Sequence, residues 1–278
     1  MSSSFERDTT VTSVGGGRYK ATIVENWTNT GGPNGGFTAA LLLRTAISHL
    51  DDAAMQPRSF TTHLIGAPAV GPCELTAVTE RHGRTAGFVT VRLTQSDRIM
   101  ATASVVFVGR RPALEPFTQR AMPNVASAHA LVNRRDVRRE VPRYIAHYDQ
   151  RFWTPDLTGD GVAKVIGWTR FVDAQPFDAV AIVAIADSFP PPLLARTYNV
   201  AGALTLDYTV HFRTELPAAA TSADGFVLME TESNFCQEGL VEEDGWIWAP
   251  NGTLLAQARQ LGLMLATNPE NQRGEVSP

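Results

Sequence analysis

Cysteine is scarce. The chain has two in 278 residues, Cys73 and Cys236, without a Cys-x-x-Cys pair and without a histidine cluster at ligand spacing. That argues against a disulfide framework or a structural zinc site, and free thiols in a reducing, cytoplasmic setting are expected. Charge of one sign is also missing: a net charge of -4 gives no electrostatic support for binding nucleic acid or an anionic membrane. No apolar run approaches the roughly 18 residues of a membrane span. The opening "MSSSFERDTTVTSVGGG" lacks the basic segment and apolar core of a secretory signal. There is no G-x-S-x-G, which disfavours a serine nucleophile on a strand-to-helix turn.

What is present is an ordinary globular composition, 44% hydrophobic and 19% charged, with length for one large domain or two of about 130 residues. The two halves resemble each other. Trp27-Thr28 is followed nine residues later by Phe37 and the run "FTAALLLRTAISHL"; Trp168-Thr169 is followed eight residues later by Phe177 and "FDAVAIVAIADSF". An alternating segment precedes each Trp-Thr, and strand-like segments with period-two alternation follow each apolar run. Each run is long enough for a buried helix of three to four turns, with "DGW" and "NG" marking hairpins. The expected fold is therefore α+β and tandem, each half an antiparallel sheet wrapped around one long apolar helix. The expected division is 1–110 for the first unit, 111–140 for a proline- and charge-rich linker, 141–268 for the second unit, and 269–278 for a polar tail.

The repeat provides an internal control for polar residues in apolar settings. Eight apolar residues, Ala179 to Ala186, run directly into Asp187. With Phe37 and Phe177 aligned, Asp187 stands opposite Ile47, so the architecture does not itself demand an acid there. Burial would raise its pKa unless donors compensate. The alternative is a residue just past the helix end, facing water or capping a turn. On the last strand, "TLLAQARQLGLML", Gln260 shares a face with Ala256, Ala258, Gly262 and Met264, where the first half carries Val105. In "ALTLDYTVHF", alternation groups Thr205 with Asp207, Thr209 and His211. An acid, an amide and a hydroxyl converging on one point would hold and deprotonate a water. The glycine-rich "TNTGGPNGGF", Thr30 to Phe37, either brings the backbone of Gly35, Gly36 and Phe37 close to a ligand or is a flexible connection. A homo-oligomer, through sheet faces or edges, is a further expectation, because "GWIWAP" puts large aromatics near a turn.

At these residues the chain resembles the type II acyl-CoA thioesterases, the double hot-dog family. The likeness runs through "NGGFTAALLLRTA", "RHGRTAGFVTVRLTQSDRIMATASVVF", "ADSF", "LTLDYTVHFR" and "NGTLLAQARQLGLM". It implies a tandem hot-dog fold and hydrolysis of an acyl-CoA, a small-molecule substrate, with no cofactor beyond the substrate's own coenzyme A. In that family the site is an Asp, a Thr or Ser, and a Gln, carried over here to Asp187, Thr205 and Gln260. The chain departs at "ADSFPPPLL", whose prolines bear on the entrance beside Asp187, and at Gln260-Leu261-Gly262, where Gln-Glu-Gly is common. Hydratases of the same fold place His five residues after their acid; Pro192 stands there. A non-hydrolysing acyl-CoA binder is the other alternative.

Overall fold

The structure is a computed structural model, described here for residues 3–29, 31–112, 114–137, 142–153, 161–196, 200–222 and 224–266. Thr30, part of the expected linker and the expected polar tail lie outside these residues. The first half contains strands β1 (Thr12–Gly15), β2 (Arg18–Ile23), β3 (Met55–Leu64), β4 (Gly71–His82), β5 (Ala86–Gln95) and β6 (Arg98–Gly109), with helix α1 (Gly35–Leu50). The second contains β7 (Tyr148–Phe152), β8 (Lys164–Phe171), β9 (Val200–Phe212), β10 (Val227–Glu232), β11 (Leu240–Trp248) and β12 (Leu254–Ala266), with helix α2 (Ala179–Ala186). All belong to one antiparallel sheet in the order β1-β2-β4-β5-β6-β3-β9-β12-β11-β10-β8-β7. The order of one half is the mirror of the other. The halves join where β3 pairs with β9, Phe60 opposite Val210 and Thr62 opposite Tyr208.

The strands alternate as a half-buried sheet must: β2 reads exposed-buried throughout, with Tyr19, Ala21 and Ile23 facing inward. Both helices lie on that inner face: α2 buries all eight of its residues and α1 eleven of its sixteen, with Ile47 and Ser48 exposed near its C-terminal end. Their lengths differ, against expectation. Helix α1 has 16 residues and α2 only eight, roughly 24 Å against 12 Å at about 1.5 Å per residue. The cause is local. Phe177 lies outside α2, because Asp178 is the N-cap and accepts from the Ala181 N–H; Asp187 then caps the other end, just before Pro190.

Two other expectations change. "DGW" is not a turn: Gly245 sits inside β11, opposite Thr231 and Ala258. The chain reverses instead at Glu238-Gly239, both at positive φ, and at Asn251-Gly252. Nor do the aromatics of "GWIWAP" lie bare. Trp246 and Trp248 are buried in a second cluster with Trp168, Phe226 and Leu228 on the outer face of the sheet. The segment between the halves covers them: Met122, Val125 and Leu131 pack there, Arg120 lies 3.5 Å over the Trp246 ring, and the Trp168 indole donates to Ala126 O.

Candidate active site

Asp187 occupies the C-cap of α2, where its own N–H donates to Ile185 O. It does lie just past the helix end, yet its carboxylate turns inward and is half-buried. The N-terminus of α1 meets it from the other half of the chain. Oδ2 accepts from the Gly36 N–H at 2.7 Å and from Asn34 Nδ2 at 2.9 Å. The aligned peptides of α1 favour negative charge at this end. Asn34 is also the N-cap of α1, accepting the Phe37 N–H on Oδ1 while its amide nitrogen donates to the Asp187 carboxylate and carbonyl. Asn34 was not among the expected site residues. The signal was an Asn immediately before a glycine pair and an apolar run.

Oδ1 of Asp187 accepts from Gln260 Nε2 at 3.0 Å, and Gln260 Oε1 accepts from the Thr205 hydroxyl at 2.8 Å. The structure thus joins all three expected polar residues in one chain of hydrogen bonds. Gln260 is 7% exposed, on the small-residue face of β12 as alternation predicts. Thr205 arrives there against its alternation. A β-bulge between Thr205 and Asp207 adds one residue, Leu206, so Thr205 pairs with Gly262 and turns inward, while Asp207, Thr209 and His211 face out. Without the bulge its hydroxyl would lie on the outer face.

The expected backbone contributors divide. Gly36 touches Asp187 directly, and both glycines are needed for close approach. A Cβ at Gly36 would fall 2.7 Å from Ala184 O, and one at Gly35 would fall 3.0 Å from Asp187 Oδ2. Phe37 supports rather than lines the site: it is fully buried and stacked on Trp27 at 5.3 Å. Thr28–Asn29 and Gly32–Pro33 form a small hairpin that carries the chain into α1. Among the described residues, the Gly35 N–H finds no protein acceptor, since the first N–H of a helix has none within it.

Burial is the main influence on the Asp187 carboxyl and raises its pKa to about 6; donation from Gln260, Gly36 and Asn34 opposes part of that rise. Tyr148 and Tyr208 donate to Ala184 O and Val183 O, fixing the end of α2 against the sheet. Surface cavities of about 410 Å³ around Asp52 and His82, and about 480 Å³ around His211 and Arg259, lie away from this carboxylate.

With that geometry in view, the comparisons with known proteins are specific. Residues 23–108 match the family model for the acyl-CoA thioesterase N-terminal domain, and residues 120–264 that for the C-terminal domain. Among solved structures, a conserved hot-dog-fold protein of unknown function from Alicyclobacillus acidocaldarius is 24% identical, with a TM-score of 0.89 over 96% of this chain and 100% of that one. A putative thioesterase II from Thermobifida fusca is 22% identical, with a TM-score of 0.80 over 94% and 97%. An acyl-CoA thioesterase II from Mycobacterium marinum is 19% identical, with a TM-score of 0.75 over 95% and 99%. These likenesses carry the hot-dog fold. No curated protein matches the chain significantly in sequence.

Proposed function

The chain belongs to the acyl-CoA thioesterase family, and from that premise we propose that it hydrolyses an acyl-CoA to the free acid and coenzyme A by water attack at Asp187, Gln260 and Thr205. The observation that carries this reading is the hydrogen-bond chain from Thr205 through Gln260 to a carboxylate raised to about 6. Near neutral pH such a group is mostly ionised yet basic enough to take a proton.

The roles follow from what each atom has left to offer. Thr205 spends its proton on Gln260, so its oxygen can accept one from a water. Asp187 Oδ1 receives one N–H from Gln260 and keeps a lone pair for the other proton of that water. Oδ2 is held by Gly36 and Asn34, which fixes the carboxylate plane. Asp187 removes a proton as the water oxygen bonds to the thioester carbonyl. The Gly35 N–H, at the positive end of α1, is the candidate donor to the developing oxyanion. When the intermediate collapses, the carbon–sulfur bond breaks and the coenzyme A thiolate takes up the proton held by Asp187. This scheme uses no cofactor beyond the substrate's own coenzyme A.

Thiol release from a panel of acyl-CoAs, short to long, tests the reading in wild type and Asp187→Asn. The expected result is turnover by wild type and a loss of at least about a hundredfold in the variant, the scale of a lost general base. Binding of acyl-CoA without thiol release by wild type would instead favour a non-hydrolysing binder.

A further inference from the structure

Four of the five tyrosines are described, Tyr19, Tyr144, Tyr148 and Tyr208, and all four are buried. Three spend their hydroxyl inside the protein: Tyr19 on His49, Tyr148 on Ala184 O and Tyr208 on Val183 O. Tyr144 does not. It is 6% exposed, and its hydroxyl finds no hydrogen-bond partner among the described residues. A buried hydroxyl without a partner is destabilising. Unlike the sealed, unpaired hydroxyls of Thr169, Thr231 and Ser233, this one keeps accessible surface.

Its place in the fold identifies what would use it. Tyr144 lies on the single-turn helix Arg143–His147, which packs on Glu25–Trp27 and on Thr28–Asn29, the segment leading into α1. His147 of that turn stacks on Trp27 at 3.8 Å, and Arg143 pairs with Glu25. The Tyr144 ring stands edge-on to Tyr148 at 6.5 Å, and Tyr148 is bonded to the last turn of α2. Tyr144 is therefore held between the start of α1 and the end of α2, the two helix ends that meet at Asp187. Of the charges around its oxygen, that of Asp187 acts most strongly, ahead of Arg134 and Glu243. Burial first, and then Asp187, raise its pKa, so it stays an O–H donor at neutral pH. The Asp187 oxygens are already held by Gln260, Gly36 and Asn34, which leaves this donor without a protein acceptor. In the first half, the short helix ahead of the outermost strand, Ser4–Asp8, buries Phe5, a ring with no hydroxyl.

We propose that Tyr144 is a further catalytic residue, its O–H donating to the carbonyl oxygen of the bound thioester beside the Gly35 N–H. The role rests on the hydrolytic reading above. As the water oxygen bonds to the carbonyl carbon, the π pair moves onto the carbonyl oxygen, and the hydrogen bond from Tyr144 strengthens on the negative charge. No proton leaves Tyr144. On collapse the pair re-forms the carbonyl, the carbon–sulfur bond breaks, and the thiolate takes the proton held by Asp187.

Tyr144→Phe removes the hydroxyl and keeps the ring against Tyr148. With octanoyl-CoA, kcat should fall at least about tenfold while KM stays within about threefold, the pattern of an interaction made chiefly in the transition state. Tyr19→Phe removes a hydroxyl at the far end of α1 and should change kcat less than about twofold. An equal loss there would mark both as packing effects and overturn the assignment. Calorimetry on the Asp187→Asn chain then compares octanoyl-CoA with S-octyl-CoA, a thioether that lacks the carbonyl oxygen. Adding Tyr144→Phe should shrink the preference for the thioester about fivefold and leave binding of the thioether unchanged. Equal weakening of both ligands, or of neither, overturns the inference, since the hydroxyl would then meet another part of coenzyme A or only water. If wild type binds octanoyl-CoA but releases no thiol, the hydrolytic reading falls, while the change in Kd ratio still decides whether Tyr144 meets the carbonyl oxygen.

Discussion

The two halves of this chain share a backbone plan down to its irregularities, yet only one carries a polar site. In β3 a bulge falls between Pro57 and Ser59; in β9 one falls between Thr205 and Asp207. Beyond each bulge the pairing corresponds: Phe60 opposite Val105 in the first half, Tyr208 opposite Gln260 in the second. Aligning the N-caps Asn34 and Asp178 sets Asp187 opposite Leu43 rather than Ile47. Where the second half has Asp187, Gln260 and Thr205, the first therefore has Leu43, Val105 and Pro57. The helix starts differ in the opposite sense, with Gly35-Gly36 on α1 and Ala179-Val180 on α2. The bulges and registers are thus properties of the hot-dog frame, while the site is a set of side chains laid on one copy of it. The glycines needed to approach Asp187 lie on the other copy.

The largest break in that comparison is expected at the glycines. Gly36→Val gives α1 the residue α2 carries, but its Cβ meets a backbone carbonyl at 2.7 Å. The helix must shift away from Asp187. A displacement of about 1 Å can cost about a hundredfold, so thiol release should fall by that much or more, and thermal unfolding should occur earlier. A near-normal rate would mean that the contact between Gly36 and Asp187 is dispensable. Next in size is Asn34→Ala. Removing a donor to the ionised carboxylate disfavours that form, so the pKa of Asp187 rises further. Activity should climb with pH through a midpoint about 6 in wild type and through a higher one in the variant, with roughly a tenfold loss at neutral pH. An unmoved acid limb would remove Asp187 from the role of base.

Much of this was legible in the sequence, and the particular residues show why. The order of strands around each helix, the placement of Gln260 among Ala256, Ala258 and Gly262, and the aliphatic counterpart of Gln260 follow from alternation and repetition alone, whereas the counterpart of Asp187 was read as Ile47 and is Leu43. What alternation could not carry was Thr205, because one inserted residue reverses every facing before it. A proline in the corresponding strand of the first half, Pro57, was the available sign of the bulge, since proline inside a sheet is confined to edges, strand starts and bulges. The length of α2 was misread because Phe177 was aligned with Phe37, although Asp178 after it is the stronger start signal. Asn34 was missed for another reason: it acts across the fold, on Asp187 of the other half 153 positions away, where local patterns say nothing.

Two smaller predictions sharpen the contrast between faces and between halves. Thr205→Val should lower kcat about tenfold, whereas Thr209→Val, four positions along the same strand but facing outward toward Thr61, should change it less than about twofold. Equal effects would mean that the bulge does not set the facing of Thr205. The least effect on activity is expected from Val105→Gln, which gives the first half the amide of the second. Val105 is fully buried between Phe60 and Val89, where no carboxylate awaits it. The new amide cannot copy Gln260, whose two ends are bound by Thr205 and Asp187. Its burial without partners should cost roughly 1–3 kcal/mol and lower the denaturant midpoint, while thiol release per folded molecule stays unchanged. A fully stable variant would show that the first half tolerates polarity as readily as the second. The division of labour would then be an accident of sequence, and the apolar row Phe60, Val105 and Val89 would not be what holds that half of the sheet against α1.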